Sequence, residues 1–179
     1  TVLGTGDIGT EFARRAQSFH PACINGVRRT VKPSDPAFTA IHAIAELDSV
    51  LPETDILVMA LPSTAETVGI LSRERIALLP DSAFVVNVGR GTAIDQEALC
   101  DALNAGQLAG AALDVVVPEP LPADHPLRRA KNLLLTPHVA GNMTLGYTCD
   151  KSVQMFCDDL ENYAAGRPLA HLVDRKRGY

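Results

Sequence analysis

The chain has 179 residues, of which 46% are hydrophobic and 21% are charged, and its formal net charge is −5. This composition is ordinary for a globular domain, and the acidic balance argues against a nucleic-acid partner, which would favour a basic face. No apolar run in the sequence approaches the roughly 20 residues of a membrane span. We therefore expect one core, or one domain with an appendage, and neither a nucleic-acid nor a membrane partner.

Short apolar runs alternate with helical patterns along the chain. The apolar run at 55–61 is typical of a buried strand in a parallel sheet that is covered on both faces. The alternation predicts an α/β fold, a doubly wound parallel sheet of the Rossmann type. Strands are predicted at 1–3, 22–27, 55–61, 83–88, 108–115 and 132–136, and helices at 8–19, 44–51, 64–79 (in two pieces), 95–103 and 142–165, with a loop at 33–40 and an extended tail at 169–173.

Two of the predicted helices carry further signals. The helix at 8–19 has Ile8, Phe12 and Phe19 at helical spacing, which predicts an amphipathic helix. The helix that starts after Asp95 has an N-cap residue at its start and Gly106 at the position that follows its end.

The best domain boundary lies near Gly141, where the last sheet strand gives way to the long helix. Residues 1–141 are predicted to form a dinucleotide-binding domain, and residues 142–179 a long helix and tail. A first strand of three residues is short, because strands usually have about five or six residues. We therefore expect the chain to start inside a longer protein, with its first strand cut short.

The four cysteines, Cys23, Cys100, Cys149 and Cys157, form no CxxC pair. They are expected to be reduced thiols in a reducing compartment, which favours the cytoplasm. Each of them is predicted to be a small buried hydrophobic residue. No set of His, Cys or carboxylate residues has metal-ligand spacing, so no metal site is expected.

The segment "GTGDIG", Gly4 to Gly9, has the spacing of a dinucleotide-binding loop. Gly4 allows a tight turn, Gly6 lets the backbone approach a pyrophosphate, and Gly9 lets helix and strand pack closely. The loop follows a strand and opens an amphipathic helix, which is the context the motif requires. The alternative is a chance glycine turn.

A loop of this kind usually predicts an acidic residue about 20 positions later, which holds a ribose 2′-hydroxyl. Here the segment "INGVRRT" carries Arg28 and Arg29 instead. A guanidinium can bind a 2′-phosphate through charge-assisted, forked hydrogen bonds. This favours NADP(H) over NAD(H), and the alternative is two solvated arginines beside an NAD site.

Polar residues follow the other strands too, and parallel topology gathers them at one sheet edge. Arg90, in the turn "VGRG", could hold a substrate carboxylate in two hydrogen bonds. His138, in "TPHVAG", could move a proton near neutral pH, and Glu119 is a candidate partner for its imidazole. Each of the three could equally be an ordinary surface residue. The other histidines, His20, His42, His125 and His171, are expected to have no role of this kind.

The chain resembles the D-isomer-specific 2-hydroxyacid dehydrogenases. The resemblance rests on five blocks in order, from Val2 to Gly141: "VLGTGDIGTEFARR", "DILVMALPSTAETVGIL", "VVNVGRGTAIDQEAL", "GQLAGAALDVVVPEPLPADHPL" and "NLLLTPHVAG". The order and spacing of five blocks are highly specific.

The resemblance implies an oxidoreductase that transfers a hydride between NAD(P)H and a small 2-oxo acid or D-2-hydroxy acid. It implies that Arg90 binds the substrate carboxylate, that His138 is the acid/base, that Glu119 pairs with His138, and that the protein is a homodimer through the cofactor domain. The implied cofactor-binding residues are Gly4, Gly6, Asp7, Ile8, Gly9, Arg28, Arg29, Leu61, Pro62, Thr67, Val88, Gly89, Asp114, His138 and Gly141.

Two departures from the family pattern bear on function. The segment "GVRRT" lacks the acidic residue of NAD-preferring members and resembles NADP-using ones, such as glyoxylate/hydroxypyruvate reductases. Members also carry a substrate-binding domain, built mainly from about 100 residues before the glycine loop, to which the long C-terminal helix returns. That domain is absent from this sequence, so the chain alone is expected to bind cofactor and to turn over poorly.

Two other functions remain open. One is a dinucleotide-sensing or corepressor-like module that keeps the fold without the chemistry, although such a module would not need Arg90, Glu119 and His138 together. The other is a formate dehydrogenase, in which a glutamine is expected where this chain has Glu119. The identity of the 2-hydroxy acid also stays open.

Overall fold

The computed structural model of the chain describes residues 1–31, 35–141 and 146–175. They form two compact units, Thr1–Pro137 and His138–Tyr179. The first unit contains a seven-stranded sheet in the order β3-β2-β1-β4-β5-β6-β7, and every neighbouring pair is parallel. The α/β class predicted from the sequence is confirmed. The strands are β1 (Val2–Leu3), β2 (Asn25–Arg28), β3 (Ala40–Ala43), β4 (Ile56–Met59), β5 (Phe84–Asn87), β6 (Gly110–Leu113) and β7 (Leu133–Leu135).

The helices lie between the strands, as parallel crossover connections require. In the first unit they are α1 (Asp7–Ala16), α2 (Leu47–Val50), α3 (Arg73–Ile76) and α4 (Gln96–Ala105), with 3₁₀ turns at Gln17–Phe19, Ile44–Glu46, Leu51–Glu53, Gly91–Ala93 and Pro126–Arg129. The second unit contains α5 (Gly146–Ala164). The predicted start of that last helix, at 142–145, lies outside the described residues.

The strand order reverses direction between β1 and β4, which both pair with their neighbours in register. Thr1 extends this central pairing, because its backbone nitrogen donates to the carbonyl oxygen of Ile56 at 2.8 Å. In an open parallel sheet, ligands bind beyond the carboxyl ends of the strands at such a reversal. The topology therefore fixes where a ligand site belongs before any side chain is considered.

The core lies mainly between one face of the sheet and α4. Leu57 and Met59 of β4 and Leu99 of α4 are fully buried in it. A smaller cluster on the other face packs Ala13 of α1 against Val2. Because Val2 and the next residue of β1 point to opposite faces, this two-residue strand contributes to both clusters.

The ends of α4 form as predicted. The Asp95 carboxylate accepts the N–H of Ala98 at 2.9 Å, which satisfies one of the unpaired N–H groups of the first turn. Gly106 ends the helix with a φ of 72°, in the left-handed region that glycine adopts without a steric penalty. A strong cap at each end makes the boundaries of α4 readable from sequence.

Other predicted elements were wrong. Strand β3 was missed, because "AIHA" is short and its strand character comes from pairing with β2. Only α3 forms within 64–79, where two helices were predicted. The segment before α3 is instead held by hydrogen bonds among its own hydroxyl and backbone groups, such as that from Thr67 Oγ1 to the carbonyl oxygen of Pro62. Residues 169–173 have no regular secondary structure.

The second face of the sheet is more open than its apolar strands predict. Ile56 of β4 is 50% exposed, Phe84 of β5 is 47% exposed and Leu134 of β7 is 62% exposed. On α1, Ile8 and Phe12 are also exposed, so the predicted apolar face of that helix packs only in part. Coverage on both faces was predicted, and at β4, β5 and β7 the structure corrects it.

The cysteines are all free, but only Cys100 is buried as predicted. Cys23, Cys149 and Cys157 are exposed, which corrects the prediction made for them. Their position explains the difference, since Cys149 and Cys157 lie on α5, a helix with no buried residues. In the described part of the chain, no helix has the combined length and apolarity needed to cross a membrane.

The second unit holds its tail against α5 through one carboxylate. Asp159 accepts the backbone N–H groups of Ala170 at 2.7 Å and His171 at 3.0 Å. These hydrogen bonds, with that from Ala170 the largest cause, hold the pKa of Asp159 below its ordinary value. Asp159 therefore holds the tail more strongly when it is ionised than when it is protonated.

We predict that Asp159→Asn releases this tail at neutral pH. Because the folded-state pKa of Asp159 is depressed, its contribution is fully present above the unfolded value of about 3.9 and is lost as pH falls through the lower, folded value. Hydrogen-exchange protection of the Ala170 and His171 amides should fall in the variant at pH 7. The matched control is Asp158→Asn, since Asp158 binds the Gln154 amide instead, and equal losses in both variants would contradict the prediction.

Candidate functional site

The carboxyl ends of the strands place most of the predicted site residues along one edge. The glycine loop follows β1. Arg28 is the last residue of β2 and Arg29 comes directly after it, and Asp114 directly follows β6. Since all neighbouring strands are parallel and in register, these positions share the edge despite their distance in sequence. The residues that follow β4 and β5 at this edge are Leu61, Pro62, Thr67, Val88, Gly89 and Arg90.

The glycine loop leaves no room for side chains at two of its three glycines. Gly4 has a φ of 96°, and a Cβ atom there would lie 2.6 Å from the carbonyl oxygen of Ala60. A Cβ atom at Gly9 would overlap the carbonyl oxygen of Gly4, so α1 packs directly on the loop. A Cβ atom at Gly6, by contrast, would meet no heavy atom of the described residues within 4 Å. The loop is therefore closed on its protein side and open at Gly6.

The first turn of α1 faces the same opening. Gly6 is its N-cap and has no side chain to accept the free N–H groups of Asp7 and Ile8. Such N–H groups, together with the helix dipole, attract an anion. The residues present thus fit a pyrophosphate: the open side of Gly6 leaves space for it, and the helix N-terminus supplies donors.

The loop after β4 is held by Thr67, whose side chain is buried. Thr67 Oγ1 donates to the carbonyl oxygen of Pro62 at 2.6 Å and accepts the N–H of Thr64 at 2.8 Å. Ser63 Oγ and Thr92 Oγ1 lie 3.1 Å apart and tie this loop to the one after β5. Thr67 therefore shapes this loop, and its predicted role in binding the cofactor stays a prediction.

The turn that carries Arg90 packs backbone against backbone. A Cβ atom at Gly89 would lie 2.7 Å from the backbone nitrogen and oxygen of Leu61, and one at Gly91 would lie 2.5 Å from the carbonyl carbon of Val116. Arg90 itself is exposed and extended, with a φ of −143°, and its Nη1 donates to the carbonyl oxygen of Gly89 at 2.7 Å. Its guanidinium has five N–H donors, so one such bond leaves the capacity to hold a carboxylate.

Asp114 is buried, at 6% exposure, and its carboxylate accepts the hydroxyl of Thr136 at 2.6 Å. Its backbone N–H donates to the carbonyl oxygen of Asn87 at 3.0 Å. Two neighbouring strands thus fix Asp114 at the edge, one through its backbone and the other through its side chain. Thr136 is a member of the site region that the sequence did not single out.

Glu119 lies in the loop after β6, and its Oε1 accepts the N–H of Val116 at 3.0 Å. Gln96, the first residue of α4, holds this loop from the side: its Nε2 donates to the carbonyl oxygen of Val117 at 2.6 Å, and its Oε1 accepts the Val117 N–H at 2.8 Å. A carboxamide that satisfies both backbone groups of one residue restrains that residue strongly. Gln96 was also not expected from the sequence.

The two arginines after β2 differ in their surroundings. Arg28 is half-buried, and its side chain makes no hydrogen bond or ion pair with the described residues. Arg29 is more exposed and lies 3.4 Å from the Glu66 carboxylate. Further along the chain, Asp35 pairs with Arg14 and accepts the N–H of Ala37 at 3.0 Å, and these contacts hold the pKa of Asp35 below its ordinary value.

His138 and Gly141 belong to the second unit. His138 follows the end of β7 by three residues, is exposed, and has a φ of 55°, in the left-handed region. Gly141 is also exposed. Among the residues that the structure describes, no group of three or more His, Cys, Asp or Glu could hold a metal ion.

Residues 1–140 match the family model of the D-isomer specific 2-hydroxyacid dehydrogenase, NAD binding domain. The chain belongs to the D-isomer-specific 2-hydroxyacid dehydrogenase family. The predicted family resemblance is thereby confirmed.

Curated relatives of this dehydrogenase domain agree in name. It is 40% identical, over 139 residues, to glyoxylate/hydroxypyruvate reductase B of Pectobacterium carotovorum subsp. carotovorum (strain PC1), covering 77% of this chain and 43% of that protein. It is 35% identical, over 179 residues, to glyoxylate/hydroxypyruvate reductase A of Klebsiella pneumoniae (strain 342), covering 99% of this chain and 55% of that protein. The chain thus spans about half the length of these relatives.

Solved structures show the same fold. A D-isomer specific 2-hydroxyacid dehydrogenase from Xanthobacter autotrophicus Py2, in complex with NADPH and MES, superposes with a TM-score of 0.87 at 36% identity, covering 99% of this chain and 71% of that one. An NADPH-dependent glyoxylate/hydroxypyruvate reductase from Sinorhizobium meliloti, in complex with NADP and sulfate, has a TM-score of 0.87 at 28% identity, covering 99% of this chain and 56% of that one.

We predict that two glycine substitutions in this dehydrogenase domain have similar effects on stability but different effects on NADPH binding. Gly6→Ala should lower the free energy of unfolding by at most about 1 kcal/mol, as alanine is only a poorer N-cap. It should still weaken NADPH binding at least tenfold, because the Cβ occupies the open side of the loop. Gly106→Ala should destabilise by about 1 kcal/mol through its left-handed backbone and leave the NADPH dissociation constant unchanged. Thermal melts and fluorescence titration measure both, and tight NADPH binding by Gly6→Ala would show that the loop does not approach the cofactor.

Proposed function

We propose that the protein is an oxidoreductase of small 2-oxo acids and D-2-hydroxy acids, and that this chain is its cofactor-binding half. The observation that carries the proposal is the shared edge, where the glycine loop, the Arg90 turn and Asp114 follow β1, β5 and β6. The names of the relatives support the same substrate class.

The nicotinamide cofactor supplies the hydride when it is bound. Gly4, Gly6 and Gly9 shape the loop for its pyrophosphate, and the first N–H groups of α1 supply donors. Leu61 and Gly89 line the edge between the glycine loop and the Arg90 turn, where their backbones meet. In this proposal Leu61, Pro62, Val88 and Asp114 contact the cofactor, as do His138 and Gly141 of the second unit.

The substrate carboxylate binds Arg90 through paired hydrogen bonds, and this orients the reacting carbonyl. His138, as imidazolium, protonates the ketone oxygen during reduction and removes the same proton during oxidation. Glu119 pairs with His138, which holds the imidazole ring in one orientation. The family resemblance further supports a homodimer through the cofactor domain, and the free cysteines support a cytoplasmic location.

The cofactor is NADP(H) rather than NAD(H). Arg28 supports this preference, since the residue is half-buried at the end of β2 and its guanidinium makes no hydrogen bond or ion pair with the described residues. Arg29 is less well suited, because the Glu66 carboxylate near it competes with a phosphate. Two relatives in the family have structures with NADPH or NADP, which agrees with the proposal.

Titration of the protein with NADPH and NADH, followed by nicotinamide fluorescence, tests this preference. NADPH should bind at least tenfold more tightly, a difference of about 1.4 kcal/mol. Arg28→Ala should remove most of the difference and leave NADH binding unchanged. The control is Arg15→Ala in the last turn of α1, which pairs with Glu11. Equal affinities for the two cofactors in the wild type would make the arginines surface charges.

We predict that His138→Ala lowers kcat by about 10² or more, from loss of the general acid. NADPH oxidation with glyoxylate or hydroxypyruvate, measured in the full-length protein, gives the rate. His20→Ala is a matched control, because His20 has a φ of 52° and His138 a φ of 55°, so both substitutions act on the same left-handed backbone. An unchanged kcat would remove His138 from the mechanism, and no turnover by the wild type would favour the dinucleotide-sensing module.

A further inference from the structure

Asn87 is a polar residue inside an otherwise apolar strand. It is the last residue of β5, and it is 0% exposed. Asparagine is unfavourable in strands, and a buried carboxamide without partners costs free energy. We therefore expect the polar atoms of this asparagine, in the sequence "FVVNVGRG", to have hydrogen-bond partners.

The carboxamide of Asn87 uses both of its polar atoms on the turn that follows. Its Oδ1 accepts the N–H of Gly89 at 3.0 Å, and its Nδ2 donates to the carbonyl oxygen of Arg90 at 2.9 Å. These two bonds bracket Gly89 and Arg90, which are the residues that determine where the arginine side chain starts. The turn is then packed from outside, because neither Gly89 nor Gly91 has space for a Cβ atom.

The side chain of Arg90 is attached to the same bracketed backbone. Its Nη1 donates to the carbonyl oxygen of Gly89 at 2.7 Å, so the guanidinium is directed by the peptide group that lies between the two that Asn87 binds. An exposed arginine has several accessible rotamers, and its side chain must be restrained to one of them to bind a carboxylate in a single geometry. The hydrogen bonds therefore run from the buried amide to the turn, and from the turn to the guanidinium.

We infer that Asn87 is a positioning residue for Arg90: its buried carboxamide fixes the turn, and thereby the direction in which the guanidinium meets the substrate carboxylate. This inference rests on the proposed function, in which Arg90 binds that carboxylate. Asn87 acts through Arg90 and does not contact the substrate itself. Its loss should therefore affect the substrate step and spare cofactor binding.

The test is a double-mutant cycle in the full-length protein with Asn87→Ala, Arg90→Ala and the double variant. The expected result for Asn87→Ala is a KM for glyoxylate or hydroxypyruvate that rises tenfold or more, with an NADPH dissociation constant within twofold of the wild type. In the Arg90→Ala background, Asn87→Ala should change kcat/KM by less than twofold, because residues that act as a unit are not additive. Asn104→Ala is the control. The side chain of Asn104, near the C-terminal end of α4, also binds a backbone group, because its Oδ1 accepts the N–H of Lys131.

A full tenfold effect of Asn87→Ala in the Arg90→Ala background would overturn the inference, because it would show an action that does not pass through Arg90. A normal KM in Asn87→Ala alongside a raised KM in Arg90→Ala would overturn it as well, and would leave the proposed function intact. A normal KM in Arg90→Ala would refute the proposed role of Arg90 and the inference with it.

A second variant covers the case in which Asn87→Ala does not fold. Asn87→Asp keeps an acceptor for the Gly89 N–H and removes the donor to the Arg90 carbonyl oxygen. It should bind NADPH normally and show a raised KM for the 2-oxo acid. Wild-type KM in Asn87→Asp would show that the bond to Arg90 has no positioning role, and would overturn the inference.

Discussion

The carboxyl edge of the sheet depends on backbone that touches backbone. Gly4 meets Ala60, Gly9 meets the Gly4 carbonyl, and Gly89 meets Leu61, in each case without space for a Cβ atom. Close contact of this kind keeps the loops after β1, β4 and β5 in one fixed relation. A site built on such contacts is rigid before a ligand arrives, which lowers the entropy that binding must overcome.

The edge also has positions that are open to a ligand, in contrast to these tightly packed glycines. At Gly6 the absence of a side chain leaves open space, whereas at Gly4 and Gly9 it allows close packing of the backbone. Arg90 is likewise an exposed side chain on a turn that is packed from both sides. The edge thus combines fixed backbone with a few accessible groups, as a site that binds a cofactor and a small acid requires.

Much of the fold could be predicted from the sequence, because its signals are local. The caps Asp95 and Gly106 mark α4, and the apolar runs mark β4 and β5. Strand β3 could not be predicted in the same way, since its pairing with β2 is a tertiary interaction. The exposure of Cys149 and Cys157 depends in turn on what packs against α5, which composition does not encode.

The site residues also fall into a group that the sequence predicted and a group that it did not. The sequence predicted that residues after successive strands would gather at one edge, because parallel topology alone requires it. It did not predict Asn87, Gln96 or Thr136, whose importance lies in hydrogen bonds to distant backbone or side-chain groups. An asparagine at the end of the apolar run "FVVN" is the signal that the sequence offered. The roles of Arg90, Glu119 and His138 stay predictions that the proposed experiments test.

The short central strand also has a consequence for the order in which the molecule is assembled. β1 lies between β2 and β4, and its contact from Thr1 to Ile56 joins residues that are 55 positions apart. Long-range parallel pairing of this kind is slow to form, because a long loop must close before the contact is made. During synthesis, the pairing of β1 with β4 therefore cannot form until β4 has emerged from the ribosome. The glycine loop is therefore made before β4, and it reaches its final place only after β4 has paired with β1.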